Sequence, residues 1–496
     1  MRSSVRIISS LLAIMSIMLF CACSNTTDAD EVTTNGGGTE DTNSAGTENV
    51  DANGYLKDNL PADLNFGGED FTTLYWSDRE HEEFFTDGQN GEIVNDALLT
   101  RNRQVEERLG VTLKFVGTPG NGQNIQNFTN TLSISIQSND HAYDLVGGYS
   151  ISTASCAYHG LLANLYESEY LDFSMPWWPD NLIDQATICG KLYFASGAIS
   201  ANVLYMMYVT YFNKQYLSDF NLESPFDLVK NDEWTIDKMF SMCQNLYSDL
   251  NANGKKDEGD RFGFYAQKLH TDAIFWGTGI KTVDNTGDTL KVSESFYSEM
   301  IQDLLQKVNS FLYYGNDGIM ITSDSTYVYF GEGKSLFWMD RARQAITGLQ
   351  NYEDLKFGIV PIPKCTENQE NYACVMGNPF TLYAIPVDNQ AINRSAAVME
   401  CMASESYRNV TPALFETAMK YKYSPDEISS QMFDIVRSSV VFDLGRIFYS
   451  VLNGIPAATW EKAVYENAAS WTVLAKAQSK VFDKLVQNLV EAFNNK

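Results

Sequence analysis

An α/β fold built on a parallel or mixed sheet is predicted by three features of this chain. Strand-like and helix-like segments alternate from about residue 66 onward. Hydrophobic residues make up 44% and charged residues 20%, enough to bury a sizeable core. Beyond the first segment, no run is apolar and long enough to cross a bilayer. Residues 71–76 (Phe-Thr-Thr-Leu-Tyr-Trp) read as a strand. Residues 93–109 carry apolar side chains at 93, 97, 98, 105 and 109, a helical period, and Gly110 follows as the stop. Residues 111–116 form the next strand, about 124–137 a polar helix, and 143–146 another strand. Ligands in such sheets sit beyond the carboxyl ends of strands. That places Tyr75-Trp76 and Gly147-Gly148-Tyr149-Ser150 at a predicted ligand rim.

By length alone, 496 residues would correspond to about three domains. The formal net charge of −28 argues against nucleic acid, which demands a basic footprint to displace counterions. It also disfavours strongly anionic solutes. Aromatic residues reach 13% of the chain, a stock that serves both core packing and stacking on ligands.

The first segment reads as a leader. Arg2 and Arg6 precede an apolar run over 7–20, too short for a span and typical of an export signal. The run ends in Leu19-Phe20-Cys21-Ala22-Cys23-Ser24, which resembles a bacterial lipobox. Ala22 at the preceding position makes Cys23 the expected lipidation site, with 1–22 as signal peptide. Phe20 stands where such boxes usually have Leu. Residues 23–59 are expected to be a disordered tether. Positions 24–54 hold no aromatic residue, Lys or Arg, and cannot bury enough apolar surface to offset chain entropy. A chain of that length reaches about 30 Å. The expected location is exported and lipid-anchored, facing the extracellular or periplasmic side. Export permits disulfides, and Cys365 with Cys374, flanking a polar loop, is the favoured pair. No C-x-x-C spacing indicates zinc.

An ordered set of further segments carries a family resemblance. It runs through 171–178 (LDFSMPWW), 190–197 (GKLYFASG), 208–217 (YVTYFNKQYL), 233–239 (EWTIDKM), 259–264 (GDRFGF), 330–337 (FGEGKSLF) and 358–364 (GIVPIPK). This order is similar to the extracellular solute-binding proteins of ABC importers, the maltose-binding-type, family 1-like group. Most of the body, about 66–450, is covered. The resemblance implies a two-lobed periplasmic-binding-protein fold of type II, with ligand held in a cleft between lobes and strand crossovers as hinges. Lobe 1 is then 60–199 with 361–404, and lobe 2 is 200–360 with 405–496. Ala198 departs from the Asp that related chains often carry. The strand over 336–339 delivers Asp340 and Arg341 to its far end, which the resemblance turns toward the cleft; the alternative is a surface ion pair.

Residues 249–260 fit a calcium-loop pattern, with Asp249, Asn251, Asn253 and Gly254 at positions 1, 3, 5 and 6. Alternate oxygen ligands converge on one ion where Gly allows a sharp turn. Lys255 would give its backbone carbonyl, Asp257 would bind directly or through water, and Asp260 stands where a bidentate Glu usually lies. The alternative is an Asx-rich turn without metal. Gly333-Lys334-Ser335 lacks the upstream glycine of a phosphate loop, since Val328 occupies it. Trp76, Tyr149, Trp276 and Phe380 lie in or beside predicted loops, where a ring stacks on a sugar face or simply packs in the core. Trp177 and Trp178 read as structural, and the four histidines as surface or capping groups.

No G-x-S-x-G or H-E-x-x-H motif supports an enzyme. The expected function is a non-catalytic, monomeric, lipid-anchored receptor that captures a solute, with an oligosaccharide favoured. It closes its lobes on that solute and delivers it to ABC permease subunits. The alternatives are a secreted glycan-degrading lipoprotein (a glycoside hydrolase) and a receptor for a peptide or other solute. Replacing Cys23 by Ser should abolish incorporation of labelled fatty acid and release the protein from membranes; continued incorporation would place the anchor elsewhere.

Overall fold

The computed structural model describes residues 49–79, 83–322, 326–414 and 427–494, all within one compact unit, Asn49–Lys496. The signal segment, Cys23 and most of the expected tether lie outside the described residues. Where the tether is described, the expectation of disorder fails. Asp58 is buried, and its carboxylate takes two hydrogen bonds of 2.6 Å from the Arg108 guanidinium. Its backbone N–H donates to Ser404 Oγ at 3.2 Å. One well-paired carboxylate thus fixes a segment with little apolar surface.

The first sheet begins with β1 (Glu69–Trp76), β2 (Val111–Thr118) and β3 (Leu145–Tyr149). The chain then builds a second sheet from β4 (Tyr208–Asn213) and β5 (Phe262–Gln267), and adds a hairpin of β6 (Val283–Asn285) and β7 (Leu290–Val292). The second sheet is completed by β8 (Gly318–Ile321), β9 (Ser335–Arg341) and β10 (Phe357–Val360). A short strand, β11 (Cys374–Val375), later pairs with β13 (Val440–Val441), and β12 (Thr381–Ala384) returns to the first sheet. The strand orders are β12-β3-β1-β2 and β10-β4-β9-β5-β8. In the first sheet only β12 runs antiparallel; in the second, β4 opposes both of its neighbours.

Local sequence explains these elements. The last four residues of β1 are all buried, because the strand is covered on both faces. Helix Ile93–Leu109 buries Leu98, Arg101, Val105 and Leu109 and ends at Gly110. Gly110 has φ 59°, and a Cβ there would meet the Asn65 side chain at 2.5 Å, so the expected stop needs glycine. Between the sheets the chain passes through the short helix Ala201–Tyr205. The return to the first sheet falls between β10 and β12. Residues 361–364 stay with the second sheet's neighbours, where Pro361 O accepts from Trp234 Nε1 and Lys364 O from the Ile236 N–H.

Trp177 and Trp178 are structural. Both rings are 1% exposed, and their indole N–H groups donate to Glu400 at 3.0 and 2.9 Å. Gly197 has φ 151°, and a Cβ there would lie 2.1 Å from Trp177 O. The six described cysteines are free thiols, so the expected Cys365–Cys374 pair is not bonded.

Burial pushes the Glu400 carboxyl up to about 8, against the pull of the Trp178, Asp172 and Trp177 N–H groups. A carboxyl raised above its ordinary value of 4.5 holds its proton more tightly in the folded state, so its contribution declines as pH rises from about 4.5 to 8. Glu400→Gln should flatten the fall of Tm across that window relative to wild type. Parallel Tm–pH curves for the two proteins would refute the assignment.

Candidate ligand site where the two sheets meet

The carboxyl ends of β1 and β3 and the carboxyl end of β9 bring their last side chains to one place. Trp76, which ends β1, is 1% exposed and donates its indole N–H to Thr381 Oγ1 at 2.8 Å. Its ring lies 5.4 Å from that of Tyr149, which ends β3. Burial pushes the Tyr149 phenol up to about 12, while Arg446 and Arg341 pull it down. The second sheet's charges therefore act directly on a first-sheet side chain. Phe380, just before β12, accepts the Ser150 N–H through its carbonyl and packs its ring 5.6 Å from Phe442.

On the second sheet, Tyr208 pairs with Arg341 across β4 and β9. Asp340 is 2% exposed; its Oδ1 takes the Arg341 Nε–H at 2.9 Å and its Oδ2 the Gln344 amide at 3.2 Å. His270 Nε2 lies 3.5 Å from the same carboxylate. The predicted alternative for Asp340 and Arg341, a surface ion pair, does not describe this buried arrangement.

Two short helices add the densest polar group. Asp272 and Trp276 stand four apart on helix Thr271–Trp276, so they share one face. Arg446 comes from helix Leu444–Ile447, whose N-cap is Asp443. Asp443 also takes the Thr282 N–H and hydroxyl, at 2.9 and 2.6 Å. Gly445 is needed beside it, since a Cβ would lie 2.1 Å from Thr282 Oγ1. Arg446 Nη1 donates to Asp272 Oδ2 at 2.5 Å, and its guanidinium carbon sits 4.5 Å from the Trp276 ring centroid. The two ionic side chains are 4% and 1% exposed.

This group is incomplete. Asp272 Oδ1, Arg446 Nε and Trp276 Nε1 are buried and have no hydrogen-bond partner. Each buried orphan costs about 1–3 kcal/mol. Burial raises the Asp272 carboxyl despite Arg446 beside it, and Glu461 is lifted to about 7 by burial and the Asp272 charge. The set offers two donors, one acceptor and flat rings in a water-poor junction.

Of the residues singled out from sequence, Trp76, Tyr149, Trp276, Asp340 and Arg341 fall in or beside this one cluster, and Phe380 lies next to it. All but Arg341 are more than nine-tenths buried, so the other five are not open rim groups. Tyr208, His270, Asp272, Arg446 and Glu461 were not anticipated. His270, expected at the surface or as a cap, is 6% exposed. The i,i+4 spacing of Asp272 and Trp276 and the N-cap Asp443 ahead of Arg446 were the available signals. A cavity of about 270 Å³ lies beside the crossover helix, lined in part by Trp177, Val203, Leu204, Met207 and Phe442.

Away from the cluster, the 249–260 loop closes on itself. Asp249 accepts from the N–H groups of Asn253 and Gly254 at 3.2 and 2.8 Å, and Asp257 from the amides of Asn251 and Asn253 at 3.0 and 2.5 Å. The Lys255 N–H donates to Asn253 Oδ1. Asp260 is fully buried and takes the Leu250 N–H and the Tyr247 hydroxyl. Among the described residues, no group of three or more His, Cys, Asp or Glu is gathered as metal ligands would be.

Neither protein-family models nor curated proteins match this chain. Solved structures do. The galacto-N-biose/lacto-N-biose I-binding protein of the ABC transporter from Bifidobacterium longum is 12% identical, with 86% of this chain and 98% of that chain covered and a TM-score of 0.58. The cyclic α-maltosyl-1,6-maltose binding protein from Arthrobacter globiformis is 16% identical, covering 85% and 100%, with a TM-score of 0.59. UgpB from Mycobacterium tuberculosis, in complex with glycerophosphocholine, is 15% identical over 87% and 99%, with a TM-score of 0.51. At such identities the likeness is one of fold: the bilobed α/β architecture of solute-binding proteins.

The Asp272–Arg446 pair yields a stability test. Asp272→Ala leaves a buried guanidinium without its counter-charge and should lower stability by about 3–5 kcal/mol. The double replacement Asp272→Leu with Arg446→Met removes both charges and should recover most of that loss in urea unfolding. A double variant no more stable than Asp272→Ala would show the pair to be energetically independent.

Proposed function

We propose that this protein is the solute-binding component of an ABC importer and that its solute is a neutral saccharide. One observation carries the reading. Three unpartnered polar atoms, on Asp272, Trp276 and Arg446, lie beside aromatic rings where the carboxyl ends of two sheets meet. Vicinal hydroxyls donate and accept at once, which suits an orphan carboxylate oxygen next to orphan N–H groups. The apolar face of a sugar ring suits Trp76, Tyr149 and Trp276. The cations Arg341 and Arg446 already hold carboxylates, which favours an uncharged solute over an anion. Two of the similar structures are, by their descriptions, sugar-binding proteins, one of them belonging to an ABC transporter.

The lobes correspond to the two sheets, in the type II arrangement, and closure around solute is a shift between open and closed populations. Asp340, Arg341 and Phe380 complete the wall on this reading. The protein works as a monomer on the outer face of a membrane, held there by lipid on Cys23, and hands solute to permease subunits without chemistry. A calcium ion in the 249–260 loop, held by Asp249, Asn251, Asn253, Asp257, Asp260 and the Lys255 carbonyl, has a structural role.

A thermal-shift screen tests the reading. Neutral di- and oligosaccharides are compared with glycerophosphocholine and short peptides, and each mixture is assayed for hydrolysis. A saccharide present at about 100 times its Kd should add about 2.7 kcal/mol of stability, with the sugar recovered intact. A shift with the charged or peptide set alone would overturn the saccharide assignment, and cleaved product would overturn the receptor. In the same assay, a chelator should lower the Tm of wild type but not of Asp249→Ala; identical wild-type curves with chelator and with calcium would remove the ion.

A further inference from the structure

A carboxylate outside the solute cluster ties that cluster to the crossover between the sheets. Glu83 is fully buried. Its Oε2 accepts from Asn202 Nδ2 at 2.5 Å and from the Thr381 hydroxyl at 2.8 Å, and its Oε1 accepts from the Tyr383 hydroxyl at 3.0 Å. Thr381 in turn accepts the indole N–H of Trp76. The nearest cation, Arg101, is equally buried but spends its guanidinium on backbone carbonyls, including those of Glu83 and Phe84 at 3.0 and 3.1 Å. Glu83 is therefore held by neutral donors, with Arg101 acting on it through its charge alone. Burial raises the Glu83 carboxyl against the pull of these hydroxyls, and a buried polar group is costly unless it is bonded, so the contacts it fixes are the reason to look for a role.

Asn202 lies on the crossover helix Ala201–Tyr205. From there a chain of backbone hydrogen bonds continues without a gap. The Met206 N–H donates to Asn202 O at 2.9 Å, the Gly377 N–H to Met206 O at 2.8 Å, and the Ala342 N–H to Met207 O at 2.8 Å. Ala342 follows Arg341. Gly377 fits closely there, since a Cβ would meet the Arg341 side chain and Met206 O at 3.1 Å. Trp76 on one sheet and Arg341 on the other are thus linked by a second route, through Thr381, Glu83, Asn202 and the crossover, that does not pass through solute.

We infer that Glu83 is a positioning residue that couples the Trp76 side of the solute site to the crossover, so that its hydrogen bond to Asn202 sets how far the lobes open without solute. The inference rests on the two-lobed receptor reading but not on the identity of the solute. A movement at Trp76 is transmitted to Asn202 because one rigid carboxylate oxygen accepts from both Thr381 and Asn202. Losing a buried hydrogen bond of this kind shifts a two-state balance.

The test uses the solute-free protein. Asn202→Ala removes one donor and leaves Glu83 bonded to Thr381 and Tyr383; Glu83→Gln removes the charge. Hydrogen exchange well below Tm should speed up about tenfold at the amides of Met206, Ala342 and Gly377 in Asn202→Ala. Small-angle scattering should show a changed radius of gyration at the same temperature. The scattering change of the Glu83→Gln, Asn202→Ala double variant should fall short of the sum of the two single changes, because both substitutions act on the same Glu83–Asn202 contact. A lowered Tm with wild-type scattering and wild-type exchange at Ala342 and Gly377 would reduce Glu83 to local packing and sink the proposal. If Glu83→Gln does not fold, Asn202→Ala decides alone. A positive result here together with a saccharide screen that fails would leave the coupling standing and remove only the saccharide assignment.

Discussion

Arg446 and Asp272 have been taken out of water together, and their surroundings follow from that. A guanidinium with 4% of its side chain exposed needs a carboxylate, a flat surface and a fixed approach. Asp272 supplies the first and Trp276 the second. The approach is set by the helix of Arg446, which starts at Asp443, itself locked to Thr282. The pair satisfies only part of each partner, so an acceptor and a donor stay open at its edge. Open polar groups set beside flat rings in this way are what a site that awaits a polar guest requires.

The second constraint is that two sheets must meet without fusing. Their strand ends approach each other around Tyr149, which feels the charge of Arg341 at the end of β9. One contiguous set of buried apolar side chains runs from Leu74 and Val146 in the first sheet, past Leu204 and Met207 at the crossover, to Val209 and Phe337 in the second.

Much of the fold was legible because short-range chemistry dictates it. Gly110 stops its helix for a reason visible in one residue type, and β1 ends at Trp76 as read, whereas β3 runs on to Tyr149, past the strand end read at 146. The aromatic members of the site were found because rings at strand ends are noticeable in any α/β chain. Arg446, Asp272 and His270 were not, since each looks ordinary alone. The pair between positions 272 and 446 is a fact of tertiary structure, with no local pattern to announce it. The same limit applies to 49–59: the composition there predicts disorder, and the meeting of Asp58 with Arg108 is again a fact of tertiary structure. Glu83, too, looks like one surface acid among 63 until the chain folds around it.

The Asp58–Arg108 clasp also has a mechanical consequence. A pull on the described chain at Asn49 enters the fold at Asp58, and helix Ile93–Leu109 takes the load through Arg108, with Ser404 on helix Ile392–Glu405 sharing it. Those helices belong with the first sheet. Tension at that end is thus borne first by the helices beside the first sheet and reaches the second sheet only through them.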